Sequence, residues 1–180
     1  STCQAASEAS IPIQIRVLPA GPISRASADE DDTDTAAYRQ AIEDLEEILT
    51  AVIEKYPLLK IHLSCWSGEA DDMTKLLSKF TDNLWLGMDA TVTFAKVTRA
   101  HECAFDIPLD KLLLETGTPT TIPATIARAK GRDAFNHSGL IPYIAEAIAS
   151  EKSKTIDTSP REVARDASYN TLHLYPSLVD

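Results

Sequence analysis

Four short apolar runs, each followed by a stretch of helical character, constrain this chain more than any single motif does. The run "IPIQIRV" at 11–17 is β-branched and opened by a proline, as suits the start of a strand. "LLKIHLSCW" at 58–66 and "LWLGMDA" at 84–90 are the second and third. The fourth, "DKLLLET" at 110–116, is apolar at consecutive positions, the pattern of a strand covered on both faces. Between the first two, apolar residues from Tyr38 to Tyr56, Ile48 among them, recur at spacings of three and four until Pro57 ends the stripe. Ala70, Met73, Leu76, Leu77 and Phe80 share one face of a second helix, 91–107 reads as a short helix or a loop and helix, and 117–137 reads as a loop. The stretch 138–152 is helical, with Ile141, Ile144, Ala145 and Ile148 along one side. The last helix has the clearest start: Ser159 as N-cap, Pro160 in the first turn, Glu162 to close a capping box, then Val163, Ala167, Asn170 and Leu174 on the inner side. Strand then helix, four times over, predicts an α/β fold with a parallel sheet and right-handed crossovers.

The length of 180 residues, 44% of them hydrophobic, suits one domain spanning 1–180. Its least packable part is the acidic stretch 19–35, expected to be a mobile loop or to lie against a basic partner. A net charge of −10 disfavours a nucleic-acid partner unless a basic stripe overrides it, and the 17 Lys and Arg are scattered. The small cluster "ARAKGR" at 127–132 reads as loop or helix-end chemistry. Cys3, Cys65 and Cys103 have neither an even count nor CxxC spacing, which points to reduced thiols rather than a disulfide framework or zinc knuckle. No apolar run reaches a membrane span, and "STCQAASEASIPI" lacks the regions of a signal peptide. The expectation is an intracellular protein without membrane insertion, with the mitochondrion or another organelle left open. No GxGxxG or GxxxxGK[ST] opens a helix, so nucleotide binding of those kinds is not expected.

Several stretches together resemble one family. "HLSCWSGEADDMTKLL" is similar to the "H-C-F-S-G…A…LL" segment of the TatD-type metal-dependent hydrolases, and "IPLDKLLLETGTP" to their "P-L-D-R-L-L-L-E-T-D-x-P". "NHSGLIPYIAEAIA" resembles "N-x-P-x-x-V-P-x-V-A-E-x-I-A", and "SPREVARDASYNTLHLY" the closing "S-x-E-E-V-A-x-x-x-x-x-N-A-x-x-L-F". "IPIQIRV" is similar to the "L-P-V-I-I-H-x-R" strand, so the resemblance covers nearly all of the chain outside the acidic loop. It implies a (β/α)8 TIM-barrel-related fold, metal-assisted phosphodiester hydrolysis of DNA, and a site at the C-terminal strand ends. The family's opening His-x-His strand and the acid of its fourth strand are not in this sequence. What is present corresponds to strands five to eight, about four βα units of a barrel.

Matched to those motifs, the former metal-ligand positions fall at Arg16, Ser64 and Gly117. An always-charged guanidinium repels a divalent cation, and hard or borderline cations need carboxylate or imidazole ligands. His62, Glu115 and Asp89 are the residual polar candidates. Strand alternation puts His62 on the face of Ser64 but one layer deeper, where it reads as a hydrogen-bonded interior histidine. Glu115 reads as a carboxylate satisfied at a strand end. If Arg16 projects into the former pocket, its charge needs Glu115 or Asp89 as partner.

The resemblance therefore predicts no bound metal, no cofactor and no catalytic residues. The function expected is that of a degenerate TatD-like protein, a structural or interaction subunit of a larger assembly. The alternative is a phosphodiesterase or DNase whose missing strands and ligands come from another chain. Either way a protein partner completing the barrel is expected, because two strand edges and an inner sheet face remain open. That face is assigned to Ile13, Ile15, His62, Ser64, Leu112 and Leu114, a set that a one-residue change of register would flip.

Overall fold

The computed structural model of the protein describes residues 2–17, 35–117, 121–131 and 135–178. The acidic stretch 19–35 lies outside these apart from Thr35, which opens a helix. The elements run α1 (Thr2–Glu8), β1 (Ile13–Ile15), α2 (Thr35–Lys55), β2 (Ile61–Leu63), α3 (Ala70–Lys79), β3 (Leu84–Met88), α4 (Thr98–Asp106), β4 (Leu112–Leu114), α5 (Ala124–Lys130), α6 (Ile141–Lys152) and α7 (Pro160–Leu174). Short 3-10 turns at Ala90–Thr93, Leu109–Lys111, Ser138–Leu140 and Pro176–Leu178 complete the set. The four strands form one parallel sheet in sequential order, so the α/β expectation holds. Among the described residues no helix is long and apolar enough to cross a membrane.

Each helix is seated by its apolar stripe. Helix α2 buries Ile42, Leu45 and Leu49, while Ile48 sits off the stripe and is exposed. Tyr38 ties the start of α2 to that of α3: its hydroxyl donates to Asp72 Oδ2 at 2.7 Å and accepts the Glu69 N–H at 2.8 Å. Helix α3 buries Met73, Leu76 and Leu77, and α6 buries Ile144 and Ile148. Asn170 of α7 donates to the carbonyls of Leu109 and Leu112 at 2.7 and 2.8 Å, fixing the entry to β4. The capping box at Ser159 is formed: its Oγ accepts the Glu162 N–H at 3.2 Å, and Glu162 Oε2 accepts the Ser159 N–H at 2.8 Å. Replacing Ser159 by Ala frees donors at the first turn and is expected to lower stability by about 1 kcal/mol, read from denaturant midpoints at unchanged slope.

Two helices depart from the sequence expectation. The stretch 117–137 was expected to be a loop, but α5 lies within it; it is seven residues long and buries only Ala124, so it carries no stripe to read. Helix α1 buries nothing fully and has no periodic signal either.

The sheet faces are the main correction. Register pairs Gln14 with His62 and His62 with Trp85, and Gly87 with Leu113, so these five share one face. Ile13, Ile15, Ile61, Leu63, Leu84, Leu86, Leu112 and Leu114 belong instead to the large core packed under the helices. The inner-face assignment of Ile13, Ile15, Leu112 and Leu114 is thus off by one residue, while that of His62 and Ser64 stands. The inner face is also covered within the chain. Trp85 and Leu113 are buried against Leu174 and Tyr175, where the end of α7 turns across the sheet.

Candidate functional site at the carboxyl ends of the strands

Beyond the last residues of β2 and β4 the chain gathers a polar cluster. Ser64 follows β2, Glu115 follows β4, and His62 lies one inward position below Ser64. Ser64 Oγ donates to Glu115 Oε1 at 2.7 Å, the Cys65 N–H donates to Glu115 Oε2, and Gln14 Nε2 lies 3.4 Å from Oε1. His62 Nε2 stands 3.5 Å from Oε1, near enough for attraction but too long for a good hydrogen bond. The other ring nitrogen, Nδ1, is 2.8 Å from the Tyr175 hydroxyl. A polar chain therefore runs through the sheet interior from Tyr175, by way of His62, to Glu115 and Ser64.

The electrostatics follow from these contacts. Burial drives the Glu115 carboxyl upward, but the nearby His62 ring and the bonds from Ser64 and the Cys65 amide outweigh burial and hold it below the ordinary carboxylate range. The Cys65 thiol is pushed up to about 11, first by burial and then by the charges of Glu115 and Asp89, with Ser64 and Arg16 opposing. Cys65 is therefore a thiol at neutral pH and no nucleophile. Asp89 caps the turn Ala90–Thr93, its Oδ1 accepting from the Thr91 N–H at 2.9 Å and from Thr91 Oγ1 at 2.6 Å. Its other oxygen faces Gly117, whose backbone is left-handed with φ +65°; a Cβ there would collide with Asp89 Oδ2.

The structure thus brings His62, Ser64 and Glu115 into contact and sets Asp89 against Gly117. Arg16 directly follows β1 and is exposed. Among the described residues it has no ion pair with Glu115 or Asp89, so the expected buried pairing is corrected: a guanidinium in water needs no partner. The structure also adds a pair away from the site, with His101 Nδ1 3.1 Å from Glu151 Oε1, a residue fifty positions further along the chain.

Three residues of the site were not singled out by the sequence reading. Tyr175 gave no signal, being 113 positions from His62. Gln14 had one, as the polar centre of an Ile-Gln-Ile strand. Gly87 had the strongest, a glycine inside the buried strand "LWLGM". A Cβ at 87 would fall on the Glu115 carboxylate and 2.8 Å from His62 Nε2.

The donor set is a poor match for a divalent metal. Among the described residues no three His, Cys, Asp or Glu side chains converge. His62 and Glu115 are two donors where a closed site needs three or four, and the carboxylate oxygens already accept from Ser64 and Cys65.

A four-stranded parallel sheet in sequential order, with helices packed on one face and polar groups beyond its carboxyl ends, makes this an α/β protein of the kind in which βα-barrels are built. The chain belongs to the TatD related DNase family, whose profile matches residues 38–176. It is 30% identical over 118 residues to the human 3'-5' RNA nuclease TATDN2, an alignment covering 66% of this chain and 15% of that protein. It is 28% identical over 113 residues to the uncharacterized metal-dependent hydrolase YabD of Bacillus subtilis strain 168, covering 63% of this chain and 40% of the relative. Among solved structures, YJJV, a TATD homolog from Escherichia coli K12, superposes with a TM-score of 0.60 at 16% identity, over 97% of this chain and 53% of that one. An uncharacterized amidohydrolase from Saccharomyces cerevisiae gives 0.56 at 14% identity, over 91% and 53%. The chain therefore spans about half the length of the solved structures it resembles, and less of its curated relatives.

Proposed function

We propose that this chain is a TatD-family half-barrel, equivalent to strands five to eight, that has no hydrolase activity and serves as a structural or interaction subunit. In this reading Arg16, Ser64 and Gly117 occupy the positions of metal ligands, and no metal or other cofactor takes part. The observation that carries it is the state of Glu115, a carboxylate at the strand ends whose oxygens are engaged by Ser64, the Cys65 amide and Gln14. A carboxylate so satisfied has little left to offer a cation, and removing it from those donors would leave them unpaired in a buried site. The partner is a protein that pairs with the outer edges of β1 and β4, each bonded on one side only among the described residues. The inner face needs less cover than open strands would suggest, because Leu174 and Tyr175 already lie on it.

The test is metal content followed by activity. After incubation with magnesium, manganese or zinc and dialysis, elemental analysis is expected to find less than stoichiometric metal. Cleavage of single-stranded RNA and DNA is expected to stay at the level of the metal-free control. Stoichiometric metal that is lost in Glu115→Gln, together with metal-dependent cleavage, would overturn the proposal. It would support instead a hydrolase completed by another chain, with the nuclease activity that the human relative's name carries.

A further inference from the structure

At the opposite end of the sheet from Glu115, the chain assembles a second polar group. Lys60 immediately precedes β2, Lys111 immediately precedes β4, and Trp85 is the second residue of the strand between them. The Lys111 and Lys60 ammonium groups lie 4.7 and 5.9 Å from the centre of the Trp85 ring, and the His173 ring centre is 5.4 Å away. Trp85 is buried and forms the floor; Lys60 and Lys111 are half-buried, and His173 is exposed. The group is therefore open to solvent on one side.

We propose that Lys60, Lys111 and His173, standing over Trp85, form a seat for an oxyanion. Three observations support it. Among the described residues neither ammonium has a carboxylate within ion-pairing distance, although the chain carries a net charge of −10. Donors are also left over. Lys60 donates to the His173 carbonyl at 2.8 Å and approaches His173 Nε2 at 3.2 Å, while Lys111 donates to the Thr81 carbonyl. An ammonium has three N–H groups, so one remains on Lys60 and two on Lys111. Lastly, the local potential is positive: His173 is held below the ordinary imidazole range by partial desolvation of its ring among these neighbours and then by the charges of Lys60 and Lys111. An oxyanion would take the spare N–H donors in short, charge-assisted bonds and would reverse the sign of the field at His173. A phosphate group and a carboxylate share this chemistry, and the seat is independent of whether the strand-end site is catalytic.

The test uses the whole chain, with inorganic phosphate or acetate exchanged against chloride at constant ionic strength. Tryptophan emission and the His173 ring protons, assigned through His173→Gln, are followed together. Phosphate is expected to produce a saturable change in emission and to raise the His173 pKa. Lys111→Met keeps an apolar stem over Trp85 but removes the charge, and is expected to weaken the response about tenfold. Lys60→Met with Lys111→Met should abolish it. Saturation by phosphate alone assigns a phosphate-type ligand, and saturation by both anions admits carboxylates. If neither anion saturates, or if the double variant responds like the parent while remaining folded, the lysines only pack on Trp85 and the proposal fails.

Discussion

Gly87→Ala is expected to lower the stability of the chain by about 3 kcal/mol. The added carbon would occupy the space of the Glu115 carboxylate and press on His62 Nε2. Strand β3 cannot yield, because it is bonded on both sides, to β2 and to β4. The carboxylate must therefore move, and its bonds to Ser64 and the Cys65 amide break with it. Denaturant unfolding of the purified variant measures the loss. A change below about 0.5 kcal/mol, the scatter of ordinary surface substitutions, would show that Glu115 has another position at no cost.

Glu115→Gln is expected to cost about 3 kcal/mol as well, for a complementary reason. The amide keeps one acceptor and turns its NH2 toward groups that are themselves donors. The parent protein should show the same carboxylate in its response to acid. The folded-state pKa of Glu115 is lowered, so its contribution is complete above the unfolded glutamate value of about 4.3 and is lost as pH falls through the lower, folded value. Stability should therefore fall with acid in the parent and fall less in the variant over that window. Parallel acid limbs for the two proteins would remove Glu115 from the account.

Much of the architecture is legible in the sequence because it rests on periodicity. The stripes of α2, α3, α6 and α7 recur at helical spacing, and the capping residues of α7 announce its start. The faces of the strands are another matter. Leu112, Leu113 and Leu114 are apolar throughout, so nothing local says that Leu113 alone faces inward. Only the pairing register decides it, and register is a property of several strands at once. The site divides in the same way. Glu115 and Ser64 can be found from their motifs, and His62 from alternation. Tyr175, by contrast, reaches His62 because α7 packs beside β4 and the chain turns onto the inner face at its end. The pair His101 and Glu151 likewise exists only because α4 and α6 are neighbours.

The left-handed turn at Gly117 restricts the order in which this sequence can change. A side chain of any kind at 117 meets both an unfavourable backbone conformation and the carboxylate of Asp89. Asp89 is in turn held by the backbone and hydroxyl of Thr91. A single substitution at 117 is therefore disfavoured, while the same substitution after a change at 89 is not opposed by that collision. Exchange at 117 is thereby coupled to a neighbour twenty-eight positions away: with Asp89 in place a side chain at 117 meets its carboxylate, and a smaller residue at 89 is expected to ease that collision.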